Sequence, residues 1–485
     1  MRLLRAMMIL SLLAPLAAGA FALEFDVTGM AVAGTDDGLP MGTTRNAYPD
    51  FDLTISHQGT NGFDFIWDMG SDDSGRYKTM FNGNFGYKLI GSVLVKQGGL
   101  SWKNGDFSLE AGRLTLHDDV DSPYSIAISS MDNSALTGAF HYEDDRFFFT
   151  DRWIALNYNS GQTYADGNYW PDRSEVYKSY GLKFGDFRFG FQDIVVFTDL
   201  NTDGSGGNSR EPLFDAEYFL DPAPAFMLQY ALADSVSGGS NDNSLMGFYG
   251  TWTKDDYTLD AQFIVDDIDM NAILNPSGYQ NPNKFAWTIG GSWKTDYGTF
   301  RFDHAGATKY TFEPTGIGSE YNDGYGYTYY PDTEYSLNGS MSTIDPESNM
   351  VGYLNGENNI AFMASWTKPM GAFVPSASLE FRVTGEQSPA NPWAEATSFP
   401  SGTHLLDDPV LEKRVVLNGS ASYSWNDFRF FASGKLGFAW NKLQLTAVAG
   451  EVNNSFANGI EIFEPSSQDG LIAAITIGAT WVFKP

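Results

Sequence analysis

The stretch Tyr180-Gly181-Leu182-Lys183-Phe184-Gly185-Asp186-Phe187-Arg188-Phe189-Gly190-Phe191-Gln192 decides the fold. Its apolar residues recur at every second position on both sides of Gly185-Asp186, and a period of two belongs to a strand. A two-residue Gly-Asp connection predicts a tight hairpin, because glycine supplies the positive φ of a type II′ turn. That register sets Phe184 against Phe187, Leu182 against Phe189 and Tyr180 against Phe191. On the opposite face Lys183 meets Arg188, a like-charge pair that weakens an isolated hairpin but is tolerated in a wet interior with carboxylates nearby. One face looks into oil and the other into water.

The same device recurs along the chain. Leu100 and Trp102 are expected to face Phe107 and Leu109 across Asn104-Gly105, and Tyr142 and Phe147 to flank Asp144-Asp145 with Glu143 meeting Arg146. Tyr423 and Trp425 are expected to face Phe428 and Phe430 across Asn426-Asp427. A soluble sandwich places polar residues beside its turns, whereas a membrane barrel carries aromatic girdles there. At about 10 residues per crossing, the pattern predicts an all-β fold: a transmembrane antiparallel up-and-down β-barrel of roughly 16–18 strands. Long connections at 159–175, 201–212, 271–283, 311–358 and 386–412 put short turns at one end and long loops at the other. Ile475, Ile477, Ala479, Trp481 and Phe483 form an alternating last strand.

The chain opens with Met1-Arg2-Leu3-Leu4-Arg5, an apolar run to about Ala18, and Ala20-Phe21-Ala22. A basic start, a short apolar core and a small-residue cleavage site predict a signal peptide over 1–22 and a single barrel domain over 23–485. No later apolar run reaches the roughly 18 residues of a spanning helix. There is no cysteine, which excludes disulfides, thiol catalysis and a lipoprotein anchor. The formal charge of −31, about −33 once Arg2 and Arg5 leave with the signal, excludes nucleic acid as a partner. The expected partners are outer-membrane lipid with its lipopolysaccharide-like glycolipid, the barrel-assembly machinery, and polysaccharide.

Charged residues within strands cannot face lipid cheaply. Lys183, Arg188, Arg152, Arg301, Asp303, Glu380, Arg382 and Arg429 are therefore pore-lining candidates. They form either a selectivity field, as rings of charge do in pores, or salt-bridge ladders filling a closed interior. Tyr321, Tyr325, Tyr327 and Tyr329, interleaved with glycines, are surface-loop binding candidates that stack on sugars or pack inward on the wall. Asp199, Asn201 and Asp203 precede Gly204 with the spacing of a calcium loop, but Arg210 holds the twelfth position, so calcium competes with a plain Asx turn. His57, His117, His141, His304 and His404 are scattered singly, without a hydrolase or metalloprotease motif, which argues against an enzyme.

Three further segments carry a family likeness: Arg152-Trp153-Ile154-Ala155-Leu156-Asn157, Asp242-Asn243-Ser244-Leu245-Met246-Gly247 leading into Gln262-Phe263-Ile264-Val265-Asp266-Asp267, and Gly352-Tyr353-Leu354-Asn355-Gly356-Glu357-Asn358-Asn359. On these, the region from Asp144 to Asn359 resembles the Wzi-type capsule-assembly proteins. The resemblance implies an outer-membrane barrel of about 18 strands that helps retain polysaccharide at the cell surface, and it assigns no individual binding residue. Two functions stand open: a porin-like channel for small hydrophilic solutes, and a Wzi-like surface protein with a closed lumen.

Overall fold

The computed structural model describes residues 21–484 apart from 41–42, 60, 76–81, 84–85, 91–92, 158–172, 199, 203–207, 211–213, 233–241, 269–281, 313–333, 338–339, 344–351, 388–400 and 449–459. Eighteen antiparallel strands close into a barrel. The first six are β1 (Phe21–Gly34), β2 (Ala47–Gln58), β3 (Phe63–Ser71), β4 (Val93–Asn104), β5 (Phe107–Thr115) and β6 (Ser134–Glu143). The next six are β7 (Phe147–Asn157), β8 (Arg173–Phe184), β9 (Phe187–Thr198), β10 (Asn243–Lys254), β11 (Tyr257–Asp267) and β12 (Pro282–Thr295). The last are β13 (Gly298–Ala307), β14 (Asn359–Thr367), β15 (Phe373–Thr384), β16 (Glu412–Trp425), β17 (Phe428–Trp440) and β18 (Gly470–Phe483). Each pairs with the next, and β18 returns to β1 with Trp481 opposite Val27. Closure leaves the sheet without a free edge.

Connections alternate as expected, with two to five residues after each even-numbered strand through β16 and long segments after each odd-numbered one. At Gly185-Asp186 the register is the predicted one: Phe184 opposes Phe187, Lys183 opposes Arg188 and Tyr180 opposes Phe191. Gly185 has φ +60°, and Phe184 and Phe187 stack at 5.7 Å. Two other turns differ from expectation. Between β4 and β5 the turn is Gly105-Asp106, so Trp102 opposes Leu109 and Asn104 opposes Phe107. Only Gly105, at φ +61°, takes the left-handed conformation, and Asn104 is spared the positive φ that an Asn-Gly turn demands. Between β6 and β7 the loop has three residues, because Asp144 Oδ1 accepts from the backbone N–H of Arg146 at 2.7 Å and of Phe147 at 2.6 Å. Glu143 therefore opposes Phe148 and is free to serve another partner.

Side chains alternate between two solvents. Leu182, Phe189, Phe248, Leu259, Phe302, Leu379, Leu436 and Ile475 stand exposed on the outer surface, and aromatic residues such as Trp252, Tyr257, Trp293, Trp425 and Phe428 ring the turn end. A continuous apolar exterior of this size needs hydrocarbon around it. The core cluster, including Ile154, Ile194, Leu245, Ile264 and Ala305, points the other way, into the barrel.

The outer face breaks its own rule on β7, β8 and β9. There the outward register brings Asp151, Lys178 and Asp193 to the surface, all buried. The loop after β9 covers them with two short helices, α1 (Ala216–Leu220) and α2 (Ala225–Leu232). Asp215 caps α1 by accepting from the N–H groups of Glu217 and Tyr218. Lys178 Nζ lies 3.4 Å from Asp151 and donates to the carbonyls of Asp221 and Ala223, while Asp193 accepts the N–H of Phe226 at 3.2 Å. Val176, Val195 and Phe197 pack beneath Tyr218, Ala225 and Leu228. This strap turns Leu220 and Met227 outward, 72% and 53% exposed, so an apolar surface is restored above the charges.

The Gly185 turn gives a direct test. Gly185→Val forces a branched side chain into positive φ and is expected to destabilise the barrel by about 1–2 kcal/mol, read as a shift in urea-induced unfolding of the detergent-folded protein. Gly138→Ala, at a strand position with nothing within 4 Å of the added carbon, should leave the midpoint unchanged. Equal midpoints for both variants would remove the turn from the account.

Candidate functional site

The lumen is divided. The segment after β5, from Leu116 to Asn133, bends inward as an inner loop whose Leu116, Val120, Tyr124, Ile126, Ala127 and Ile128 are all buried. Asp118 anchors it. Its Oδ2 accepts the N–H of Ala127 and of Ile128 at 2.9 Å each and Gln262 Nε2 at 3.0 Å, and its Oδ1 accepts Gln192 Nε2 at 2.9 Å. Gln262 Oε1 accepts the N–H of Ile126 in return, and Tyr177 donates to Asp119 at 2.6 Å. Across the barrel, Ser122 meets Thr288 and the Tyr124 hydroxyl donates to Glu380 at 2.8 Å. Phe312 and Tyr353, from the ends of the segment joining β13 and β14, complete an apolar core with Tyr124. The lumen beside β6 to β14 is thereby filled by protein.

Most charged candidates lie along this filled side as neutralised groups. Lys183 and Arg188 share Glu143, at 2.7 and 3.1 Å, and Arg188 also reaches Asp119 at 3.4 Å and lies over the Phe148 ring. Glu143 and the inner loop are what make the like-charged cross-strand pair tolerable. Arg152 donates to Glu110 at 3.0 Å beside His141. Arg301 is clamped between Asp303 and Asp260, with contacts of 2.7 to 3.0 Å to both. Arg382 donates to Asn355 at 2.5 Å and stands 3.9 Å from Glu412. Below the inner loop, Lys183, Arg188, Arg152, Glu110, His117 and His141 line a polar cavity of about 570 Å³. Arg429 is different: it is exposed on the inward face of β17, opposite Thr480. Tyr321, Tyr325, Tyr327, Tyr329, Asp199 and Asp203 lie outside the described residues. Asn201 belongs to a short strand, Leu200–Thr202, paired with Asn208–Arg210. No group of three or more metal-ligating residues occurs among the described residues.

The other side of the lumen, from β15 through β18 to β3, has small polar walls. Ser376, Ser378, Asn418, Ser420, Ser433 and Thr476 line a cavity of about 500 Å³, roofed by Leu39 and Pro40 from the connection after β1. Ser420 and Ser433 remain exposed, whereas Ser179, Gln192 and Thr288 at inward positions on the filled side are buried. Six carboxylates, Glu24, Asp26, Asp50, Asp52, Asp64 and Asp68, occupy the inward register of β1, β2 and β3, and Asp26 directly opposes Asp52. Lys96 pairs with Asp52, and Lys484 lies 2.6 Å from Glu24. Lys435 lines the cavity from β17, and Arg429 stands nearer the turn on the same strand, two strands along the wall from Asp26 of β1. The sequence reading missed this acidic wall, although the alternation of Asp64 and Asp68 with Phe63, Phe65 and Trp67 carries its signal.

At the loop end, Asp408 ties three segments together. It accepts Lys309 Nζ at 2.8 Å, Asn358 Nδ2 at 2.6 Å and the Glu386 N–H at 3.0 Å. Burial alone would raise this carboxyl, but Lys309 and the two N–H donors outweigh it and hold Asp408 below its ordinary value.

No sequence-family profile and no curated protein matches the chain. Among solved structures it is similar to Wzi, the carbohydrate-binding barrel involved in group 1 capsule assembly in Escherichia coli, with 12% identity and a TM-score of 0.51 over 98% of this chain and 86% of that one. It is also similar to OprD of Pseudomonas aeruginosa, with 8% identity and a TM-score of 0.44 over 97% and 96%, and to OpdQ of the same organism, with 9% and 0.43 over 96% and 98%. The fold is that of an outer-membrane β-barrel. At these identities the likeness concerns architecture, and its eighteen strands agree with the expected range.

Asp118→Ala would leave the buried N–H groups of Ala127 and Ile128 without their acceptor. It should destabilise the barrel by roughly 2–5 kcal/mol in urea unfolding and expose the inner loop to protease; an unchanged midpoint with a protected loop would show the anchor to be dispensable. Asp408 predicts a pH effect. A carboxyl with a depressed folded-state pKa adds stability above its unfolded value, about 3.9, and loses it as pH falls through the folded value. Hydrogen-exchange protection of residues 405–408 and 308–310 should therefore be high at pH 7 and fall below about pH 4. Asp408→Asn should flatten the profile, and a wild-type profile that is already flat contradicts the assignment.

Proposed function

We propose that the protein is a non-catalytic channel of the outer membrane for small hydrophilic solutes, with its route displaced to the side of the lumen bounded by β15 to β18 and β1 to β3. The observation that carries this reading is the contrast between the two sides: inward residues are buried beneath the inner loop on one and remain exposed on a Ser/Thr-lined wall on the other. Hydroxyl side chains exchange hydrogen bonds with passing water and solute at little cost. The six inward carboxylates of β1 to β3 outnumber the cations beside them, Lys96, Lys484 and Arg429, and clustered charge of one sign sets ion preference in pores, so their excess favours cations.

A second reading has one observation in its favour. The apolar core inside the barrel suits a closed interior, as in a protein that holds polysaccharide at the surface, and the neighbour with a TM-score of 0.51 is described as carbohydrate-binding. Under that reading the outer loops would do the work and the lumen none.

Planar bilayers separate the two. The folded protein is expected to give stepwise currents, with a reversal potential in a potassium chloride gradient that favours potassium. Asp26→Asn with Asp68→Asn should reduce that preference, and Ser420→Trp should lower the step size. Silent bilayers with correctly folded protein, together with polysaccharide retention on the same sample, would replace the channel with the surface role.

A further inference from the structure

A third cavity lies on the outer face of the barrel. It measures about 730 Å³ and runs over β11 to β15 from the turn end toward mid-height. Leu259, Ile289, Phe302 and Phe362 form its walls, and two small outward residues, Gly291 and Ala364, form its floor on either side of Phe302, which is 66% exposed. Its polar groups are internally satisfied: the Trp287 indole N–H donates to His304 Nε2 at 3.0 Å, and the His304 ring stacks on Phe362 at 4.4 Å. A ligand here has nothing to hydrogen-bond along the groove. It must be hydrocarbon.

The mouth of the groove is chemically different. At the turn end Tyr297 is 77% exposed, its carbonyl accepts the Trp366 indole N–H at 2.9 Å, and Lys368 Nζ lies 5.8 Å from its ring centroid. On the other flank, Lys254 is the cross-strand partner of Tyr257, whose ring stacks on Trp293 at 6.1 Å. Two lysines on the outward register, Lys254 and Lys368, place cations at the interface end of the groove. Asp255, Asp256 and Asp296 lie beyond them in the turns. Apolar rods below and a cation at the interface match a molecule with acyl chains and a phosphate.

We infer that this groove is a binding site for a diacyl phospholipid of the leaflet at the turn end, with acyl chains lying on Gly291 and Ala364 and the phosphate meeting Lys368. The groove is continuous with the lipid-facing exterior, so lipid reaches it without any opening of the fold. Phe302, standing between the two floor residues, would separate two chains and would obstruct a flat protein face. The inference is independent of whether the lumen conducts.

The test uses the full barrel in phospholipid nanodiscs with a trace of a diacyl phospholipid bearing a mid-chain diazirine, irradiated and mapped by peptide mass spectrometry. Adducts on β12 to β14 are expected to exceed those on β16 to β18 by about fivefold, the occupancy difference of one modest interfacial charge contact with packing. Ala364→Phe fills the floor and should remove the excess. Gly291 is a poorer position to change, because an added carbon would come within 2.6 Å of Leu259 Cδ2. Lys368→Glu should reduce adducts of the phospholipid while sparing those of a diacylglycerol with the same diazirine. Even labelling around the barrel or indifference to Ala364→Phe would each overturn the assignment.

Discussion

The Asp118 carboxylate determines how the interior of this barrel is used. A wide eighteen-stranded cylinder has no intrinsic reason to be asymmetric inside, and its inward residues would all face water if the connecting segments stayed at the rim. One carboxylate collecting N–H groups from Ala127, Ile128, Gln192 and Gln262 draws the segment after β5 across the lumen. Once it is there, Tyr124 reaches Glu380 on the far wall, and apolar residues from Ile126 to Tyr353 gain a dry environment that the strands alone could not provide. The ladders of Arg152, Arg188 and Arg301 stand on that side. They compensate charge that the loop removes from water, consistent with the requirement that buried ions be paired. The acidic wall on β1 to β3 lies on the other side, half-buried, with Lys96 paired to Asp52 and Lys484 to Glu24.

Much of this was legible from alternation. The hairpin at Gly185 could be read to the individual pair, because glycine at the first turn position fixes the register and the period of two then assigns every side chain. The Asn104-Gly105 reading misplaced its turn because a dipeptide preference competes with the ease of placing only one residue at positive φ. The inner loop was not legible for a different reason. Tyr124-Ser125-Ile126-Ala127-Ile128-Ser129 alternates like a strand, yet its partners are side chains, and Gln192 and Gln262 lie 74 and 144 positions from Asp118. Side-chain hydrogen bonds across such separations leave no periodic trace. Of the charged candidates, the residue types revealed that they avoid lipid; which carboxylate serves which cation depended on the loop.

The helices of the strap had local signals, Asp215 as a cap and Pro224 before an apolar run. Their location had a subtler one: Lys178, Asp151 and Asp193 fall on the outward register, where the alternation elsewhere places aromatic or aliphatic residues.

That buried external ion pair also constrains the order of events during biogenesis. Lys178 stands six residues from the end of β8, about 20 Å along the strand, well inside an apolar band roughly 25 Å tall. A bare lysine at the midplane costs roughly 2–4 kcal/mol, so β7 to β9 enter hydrocarbon most readily with the strap already seated. The segment after β9 thus behaves as a built-in escort: insertion of its own strands is cheapest in its company.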